Sequence, residues 1–187
     1  MSKAYKPCRI VLARTSDSCS ELNYLKNIIL YSLLVSHGIR VDTELWILAD
    51  NLLVKLNGLE LRHLHSQDDS LVGFVKSVFC RHKFPPGVEL ASRSELKKVI
   101  GHDAVLLTAR HGGMISPQLP VSASKTFVIA LEYVLTTREQ KDFEYIIKLP
   151  VENMIELVNI AHYILDRAFG AWVRRHGRIQ LYERSRF

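Results

Sequence analysis

The C-terminal part of the chain carries the pattern with the clearest chemical meaning. Residues 167–187 contain six arginines and a single acidic residue, Glu183, so this stretch holds +5 of the total net charge of +6. Three aromatic residues, Trp172, Tyr182 and Phe187, are interleaved with the arginines. Because guanidinium groups bind phosphate and aromatic rings stack on bases, this combination is typical of nucleic-acid contact. A solvated tail or a subunit contact explains the same charges equally well, since basic runs have several uses.

Two other patterns could do chemistry, but each is incomplete. His63 and His65 alternate near the end of a predicted strand, so their side chains could share a face as two metal ligands would. No third ligand is evident, and we predict no metal site. The loop Arg110-His111-Gly112-Gly113 is of the kind that forms an oxyanion hole, yet the chain has no Gly-x-Ser-x-Gly elbow to supply a nucleophile. It also lacks the Gly-rich phosphate loop and the dinucleotide fingerprint, which argues against ordinary nucleotide hydrolysis and dinucleotide chemistry.

Length and composition suit one large domain, or a domain with an appendage. The chain has 187 residues and is 48% hydrophobic, which is enough to fill a single core. Its longest apolar stretches fall well below the roughly 18 residues that span a bilayer, and its first residues lack the apolar core of a signal peptide. We therefore expect a cytoplasmic protein. Cys8, Cys19 and Cys80 are odd in number and far apart, which predicts buried, reduced thiols rather than a disulfide framework or a zinc site.

Hydrophobic periodicity predicts the elements that would position these residues. A short apolar strand, residues 9–13, is followed by a helix that stops at Gly38 and by a second strand, residues 43–48, which together indicate a parallel βαβ unit. Buried strands are predicted at 104–108, 126–130 and 145–148, and a last helix carries an apolar face from Met154 to Leu165. Strands that alternate with helices predict an α/β fold with a mainly parallel sheet flanked by helices.

Short local signals predict where individual elements begin and end. Asn57-Gly58 lies between two alternating stretches, 52–56 and 59–62, and is the strongest two-residue hairpin signal in the chain. Ser92 with Glu95, and Thr136 with Glu139, have the spacing of a capping box, in which each side chain satisfies a backbone N–H of the other. We therefore expect a small hairpin at 57–58 and helices that begin just after Ser92 and Thr136.

A series of short segments also follows a characteristic order along the chain. The series begins with Ser36-His37-Gly38-Ile39-Arg40-Val41-Asp42, then Leu59-Glu60-Leu61-Arg62, Asp68-Asp69-Ser70 and Val72-Gly73-Phe74-Val75-Lys76. It continues with Pro86-Gly87-Val88, the strand 104–108, the strand 126–129 before Leu135-Thr136, and Ile164-Leu165-Asp166-Arg167. This series resembles the archaeal tRNA pseudouridine N1-methyltransferases up to Arg167. The resemblance divides the chain into a domain, 1–167, and a basic C-terminal extension, 168–187.

That resemblance implies the fold and the chemistry of the SPOUT superfamily. Its members have a parallel sheet with a C-terminal trefoil knot, bind S-adenosylmethionine in the knot loops, and form homodimers. They transfer a methyl group to N1 of a pseudouridine in the tRNA T-loop. Such a transfer requires a nucleophilic nitrogen in line with the methyl carbon, a group that accepts the N1 proton, and an apolar slot for adenine. The implied cofactor is S-adenosylmethionine and the implied partner is tRNA.

The resemblance also implies candidate site residues. The cofactor would contact two segments, represented by Ile129, Ala130, Leu131, Leu149, Pro150 and Asn153. Either Glu132 or Asp69 would serve as the base, although a solvated loop carboxylate and a helix cap explain these two residues as well. The RNA-binding candidates are Arg40, Lys76, Arg174, Arg175 and Arg178, and a surface ion pair is an equally good explanation for the first two.

A second function remains open because both cofactor segments differ from the family pattern. The family's Gly-Asp-His is here Ala130-Leu131-Glu132, and a methyl group in place of hydrogen restricts the backbone. The second loop is here Leu149-Pro150-Val151-Glu152-Asn153, in which proline removes one backbone donor. The alternative is a catalytically degenerate SPOUT paralogue that acts as a dimeric RNA-binding or assembly protein.

Overall fold

The apolar stretches of the chain form two sheets and the helices that cover them. The computed structural model describes residues 8–35, 38–62, 64–101, 103–109, 125–131 and 134–182. Its strands are β1 (Arg9–Thr15), β2 (Leu34–Val35), β3 (Gly38–Arg40), β4 (Thr43–Ala49), β5 (Leu52–Asn57), β6 (Val88–Ala91), β7 (Val105–Ala109), β8 (Phe127–Ala130), β9 (Tyr145–Leu149), β10 (Ala171–Arg175) and β11 (Arg178–Tyr182). Its helices are α1 (Leu22–Leu33), α2 (Asp68–Val75), α3 (Arg93–Ile100), α4 (Thr137–Gln140) and α5 (Met154–Phe169), and α2 continues into a π-helical turn, Lys76–Cys80.

The main sheet is mostly parallel, as the sequence predicts. Its strand order is β6-β5-β4-β1-β8-β7-β9. β1 pairs in parallel with β4 and β8, and β7 pairs in parallel with β8 and β9. Only β5 runs in the opposite direction, antiparallel to β4 on one side and to the edge strand β6 on the other. The predicted βαβ unit is confirmed, because β1 and β4 are parallel neighbours connected through α1.

Helices bury both faces of this sheet. On one face, α1, α2 and α5 contribute Leu25, Leu71 and Leu157 to a core cluster. On the other face, α3 and the residues around α4 pack Leu96 and Leu135 against the sheet. A parallel sheet covered on both sides needs apolar residues at successive positions, which explains the uninterrupted aliphatic strands of the sequence. No helix in the described ranges has the length and apolarity needed to cross a membrane.

The predicted hairpin at Asn57-Gly58 is wrong. β5 instead pairs with β4 across Asp50 and Asn51, whose φ angles of 48° and 70° suit a two-residue hairpin turn. The second neighbour of β5 is β6. Gly58 does not form the turn. It allows the backbone to approach the Arg40 carbonyl closely, because a Cβ added at Gly58 would lie 1.9 Å from that oxygen.

Both predicted capping boxes are present and begin the helices where the sequence places them. Ser92 accepts from the backbone N–H of Glu95, and the Glu95 carboxylate accepts from the backbone N–H of Ser92. Thr136 and Glu139 make the same reciprocal pair at the start of α4. These caps satisfy backbone donors that a helix start leaves unpaired.

The second sheet joins the C-terminal segment to the N-terminal half of the chain. Its order is β11-β10-β3-β2. Val173 of β10 lies opposite Arg40 of β3, and the Val41 N–H donates to the Trp172 carbonyl at 2.8 Å. His176 and Gly177 form the tight turn between β10 and β11, with φ angles of 48° and 75°. The described part of the predicted extension is therefore a hairpin that completes a sheet.

The prediction of reduced thiols is wrong for two of the three cysteines. Cys19 and Cys80 form a disulfide, with their Cα atoms 5.6 Å apart, whereas Cys8 is a half-buried free thiol. The fold places the loop after β1 against the end of the π-helical turn, where the Ser18 hydroxyl donates to the Phe79 carbonyl at 3.3 Å. The bonded cysteines are 61 residues apart in sequence, so local spacing gives no indication of this contact.

Candidate functional site

Strand register brings the two predicted cofactor segments to one edge of the main sheet. β7 lies between β8 and β9, and Leu107 of β7 is level with Ile129 on one side and Ile147 on the other. Leu149 is level with Ala109, the last residue of β7. Because parallel strands end at the same edge, segments 129–131 and 149–153 flank the end of β7 about two strand spacings, roughly 10 Å, apart. This edge is where open α/β sheets bind ligands.

Most side chains of these segments are buried. This holds for segment 129–131 and for Leu149 and Val151, whereas Glu152 and Asn153 are exposed. At the buried positions, the groups available to a ligand are therefore those of the main chain. Pro150 reduces their number, because it has no N–H to donate.

The main-chain carbonyl groups at this edge keep some hydrogen-bonding capacity. The Leu131 carbonyl accepts from the Val134 N–H at 3.0 Å, and the Leu149 carbonyl accepts from the Val151 N–H at 2.9 Å. Each carbonyl oxygen has two lone pairs and can therefore accept a second hydrogen bond. Two carbonyl acceptors beside buried aliphatic side chains suit the donor groups and the apolar face of an adenine.

Thr108 is a site residue that the sequence analysis missed. It is fully buried near the end of β7, level with Lys148, and its hydroxyl has no hydrogen-bond partner among the described residues. Buried polar atoms are nearly always paired, so this hydroxyl is a candidate to pair with a group of a ligand at this edge. The only sequence signal was a hydroxyl residue at the end of an otherwise aliphatic strand. The described residues at this edge thus suit a ligand that has both polar groups and an apolar face.

Asn153 has a clear local role in the structure. Its side-chain oxygen accepts from the backbone N–H of Glu156 at 3.0 Å, so it caps α5. We predict that Asn153→Ala lowers the free energy of unfolding by about 1 kcal/mol, whereas Asn153→Asp, which keeps the acceptor, has little effect. Urea denaturation of the two variants checks this. Equal losses in both would contradict the capping role.

Of the two candidate bases, the described structure places Asp69, and it does not bring Asp69 to the cofactor segments. Glu132 lies outside the described residues. Asp69 is exposed in the first turn of α2, where the helix dipole favours a carboxylate. α2 itself packs mainly on α1 rather than on β8 or β9. A catalytic role for either residue stays a prediction.

Arg40 lies in a buried charged cluster and not on an RNA-facing surface. It is 4% exposed, and its two terminal nitrogens donate to the two carboxylate oxygens of Asp166, each at 2.8 Å. Arg9 donates to the same carboxylate at 2.5 Å, to His162 Nδ1 at 3.2 Å and to the Gly170 carbonyl at 2.6 Å. The structure thus corrects the assignment of Arg40 to RNA contact, because its charge is neutralised inside the fold.

Electrostatics within this cluster fix the charge of its members. Burial raises the pKa of Asp166, but the hydrogen bonds and charges of Arg40 and Arg9 outweigh it and hold that pKa below its ordinary value. Burial, with the charges of the same two arginines, holds the pKa of His162 well below its ordinary value. His162 is therefore neutral and accepts from Arg9 through Nδ1. The cluster joins β1, β3 and α5 and is structural.

The remaining RNA-binding candidates lie on the second sheet and the π-helical turn. Arg178 and Lys76 are exposed, while Arg174 and Arg175 are half-buried. Arg174 donates to the Leu61 carbonyl at 2.6 Å and also to the Leu59 carbonyl. Burial and the nearby charge of Arg62 lower the pKa of Arg174. The hairpin arginines thus include one that also holds a loop in place.

Metal ligation finds no support in the described ranges. They contain no group of three or more histidine, cysteine, aspartate or glutamate side chains that could hold an ion. His65 is exposed, and His63 lies outside the described residues.

Comparisons with known proteins show the fold. No family model matches the chain, and no curated protein matches it. Among solved structures, the chain is similar to Nep1 of Archaeoglobus fulgidus, crystallised with S-adenosylhomocysteine. The TM-score is 0.52, the sequence identity is 13%, and the alignment covers 79% of this chain and 70% of the other.

At that identity the likeness establishes architecture alone. The mixed α/β structure, with a mostly parallel sheet flanked by helices, shares its fold with Nep1. The trefoil knot that the sequence resemblance implies stays a prediction, because residues 110–124 and 132–133 lie outside the described ranges.

Proposed function

We propose that the chain is an S-adenosylmethionine-dependent RNA methyltransferase. The observation that supports this most is the meeting of segments 129–131 and 149–153 at the carboxyl edge of the parallel sheet. The sequence resemblance independently assigns the same two segments to the cofactor. A protein of similar fold, Nep1, has been crystallised with S-adenosylhomocysteine, the demethylated form of the proposed cofactor.

The residues that would hold the cofactor are those with free hydrogen-bonding capacity at this edge. The carbonyl groups of Leu131 and Leu149 accept from the ligand, and the Thr108 hydroxyl pairs with one of its polar groups. When bound, the cofactor supplies an electrophilic methyl group on its sulfonium. The buried side chains of Ile129 and Leu149 keep water from this edge.

The chain's own catalytic contribution would be positioning and proton removal. Glu132 follows directly after Leu131, so its carboxylate is the first candidate to accept the proton from the nucleophilic nitrogen. Asp69 is the second candidate. Of the two, only Glu132 is adjacent in sequence to a cofactor segment.

The finer assignment is to methylation of pseudouridine N1 in the T-loop of tRNA, by a cytoplasmic homodimer. It rests on the sequence resemblance. Arg178 and the other hairpin arginines support an RNA substrate, because they place positive charge next to the exposed Trp172.

Titration calorimetry with S-adenosylhomocysteine tests the proposal. We expect the purified protein to bind with a dissociation constant in the micromolar to sub-millimolar range, as substrates and cofactors usually do. Thr108→Val, which removes one hydrogen bond and keeps the shape, should weaken binding about two- to tenfold. Thr126→Val is the matched control, since Thr126 is also buried but lies at the opposite end of β8.

Two results would count against the proposal. Absence of binding at millimolar ligand would require that the methyltransferase function be abandoned. If Thr108→Val and Thr126→Val weakened ligand binding equally, the carboxyl edge of the sheet would not be the cofactor site.

The second candidate function is the degenerate SPOUT paralogue, a dimeric RNA-binding or assembly protein. The observations that favour it are the fully buried Ala130 where the family has glycine, and Asn153, whose side chain is engaged as a helix cap. Retained RNA binding without any cofactor binding would establish this alternative.

A further inference from the structure

A large groove lies on the side of the molecule that carries α2, apart from the carboxyl edge of β7, β8 and β9. Its volume is about 890 Å³, which is within the range of ligand pockets. The lining is mostly apolar and includes one aromatic ring and two prolines. The lining residues that matter here are Leu59, Leu61, Arg62, Phe74 and Pro86.

Specific hydrogen bonds hold the groove walls in place. The Asn57 side chain accepts from the Leu59 N–H at 2.9 Å, and the Asn57 carbonyl accepts from the Leu61 N–H at 2.9 Å. Arg174 donates to the carbonyl groups of Leu59 and Leu61 from the other side. Gly87 permits close approach of the opposite wall, since a Cβ there would lie 2.6 Å from the Leu61 nitrogen. The groove is therefore a built feature and not a gap between loosely placed loops.

The charge around the groove is predominantly positive. Arg62 lines it, and the Arg174 guanidinium reaches the same wall, because it donates to the Leu61 and Leu59 carbonyl groups and lies near the charge of Arg62. Within the described structure no carboxylate forms an ion pair with Arg62. Glu60 also lines the groove and contributes the one carboxylate among its described lining residues. An anion between the two arginines would remove their repulsion.

Further cations lie on the wall formed by the π-helical turn. Lys76 precedes Ser77, which lines the groove, and the Lys83 N–H donates to the Ser77 carbonyl at 2.9 Å. Lys76, Arg81 and Lys83 are all exposed. Arg62 therefore lines the apolar slot itself, and exposed cations adjoin the Ser77 wall in sequence; a base followed by phosphates requires cations beside an apolar slot.

We infer that this groove binds a nucleotide of single-stranded RNA, with its base against Phe74 and Pro86 and a phosphate between Arg62 and Arg174. The choice of RNA as the ligand rests on the proposed function. An acidic peptide would satisfy the charges but would not use an aromatic slot of this size. The groove therefore gives the enzyme a second RNA contact, away from the cofactor edge.

Fluorescence anisotropy with a labelled single-stranded RNA of roughly 12 nucleotides tests this inference on the full-length protein without cofactor. Arg62→Glu should weaken binding about tenfold or more. It should also make the dependence of log affinity on log salt shallower by about 0.7 for each phosphate that the protein no longer neutralises. Phe74→Leu, which keeps an apolar wall but removes the stacking ring, should weaken binding about fivefold or more.

Lys97→Glu is the matched control, because Lys97 is exposed on α3, which covers the opposite face of the sheet. It makes the same charge change and should alter affinity less than twofold. Equal effects of Arg62→Glu and Lys97→Glu, or unchanged affinity in Phe74→Leu, would overturn the inference. The inference would also be overturned if an acidic peptide of the same length displaced the RNA and bound with the same affinity as the RNA. Because no cofactor is present, these outcomes are independent of the calorimetric test of cofactor binding.

Discussion

Replacing Asp166 by asparagine is expected to lower the free energy of unfolding by about 3–5 kcal/mol. The Asp166 carboxylate accepts one hydrogen bond from Arg9 and two from Arg40, and all three side chains are buried. Asparagine has nearly the same shape but no charge, so among the described residues it leaves the buried Arg40 guanidinium without a counter-charge and leaves Arg9 with the more distant Asp42 carboxylate, at 3.7 Å. Urea denaturation at pH 7 measures the loss.

A matched exposed pair separates this effect from ordinary surface electrostatics. Glu89 forms an ion pair with Lys55 at 2.9 Å, but its side chain is 63% exposed. Glu89→Gln is therefore expected to cost at most about 1 kcal/mol. A loss below 1 kcal/mol for Asp166→Asn, similar to that of Glu89→Gln, would show that the buried cluster does not hold the fold together.

The buried cluster illustrates what a sequence does not reveal. Asp166 ends a segment that matches the family pattern, yet its partner Arg9 lies 157 residues away and Arg40 lies 126 residues away. Arg40 follows a glycine and an isoleucine in a short strand, where an arginine ordinarily reaches solvent. Pairing of β10 with β3 covers Arg40, and that pairing is a long-range event that no local pattern predicts.

Local patterns predicted the elements well because the physics that forms those elements is local. Strands β1, β7 and β8 are continuous aliphatic runs, and the reciprocal hydrogen bonds of a capping box join residues three apart. The hairpin prediction failed because contacts between residues distant in sequence, and not local pattern, determine the pairing. Asp50-Asn51 forms the turn at positive φ although Asn-Gly adopts such angles more readily, and Gly58 instead lies in close contact with the Arg40 carbonyl, 18 residues away in sequence.

The candidate cofactor edge was only partly predictable. Apolar runs place Ile129 and Leu149 at the ends of strands, and parallel pairing then brings those ends to one edge. The individual hydrogen-bonding roles were not predictable. Asn153 is a helix cap because α5 begins immediately after it, and Thr108 is notable only because its hydroxyl is buried without a described partner.

Acidification from pH 7 to pH 5 is expected to reduce the free energy of unfolding by about 2 kcal/mol through His162 alone. The folded protein keeps His162 neutral, because burial and the charges of Arg40 on β3 and Arg9 on β1 hold its pKa well below the ordinary value of 6.5. The unfolded chain binds a proton there as the pH falls through 6.5. Stability is therefore fully present above that value and decreases below it, by about 1.4 kcal/mol per pH unit at the steepest.

The pH window distinguishes this histidine from the acidic groups. Asp166 and Glu139 have folded pKa values below their ordinary values of 3.8 and 4.5, so their contributions decrease only at lower pH. His162→Asn keeps an acceptor for Arg9 and should flatten the stability profile between pH 5 and pH 7, even if the smaller side chain lowers stability overall. His176→Asn, at the exposed turn of the hairpin, should keep the full slope. An unchanged slope in His162→Asn would show that His162 is not the group that couples folding to pH, and urea denaturation at several pH values makes the measurement.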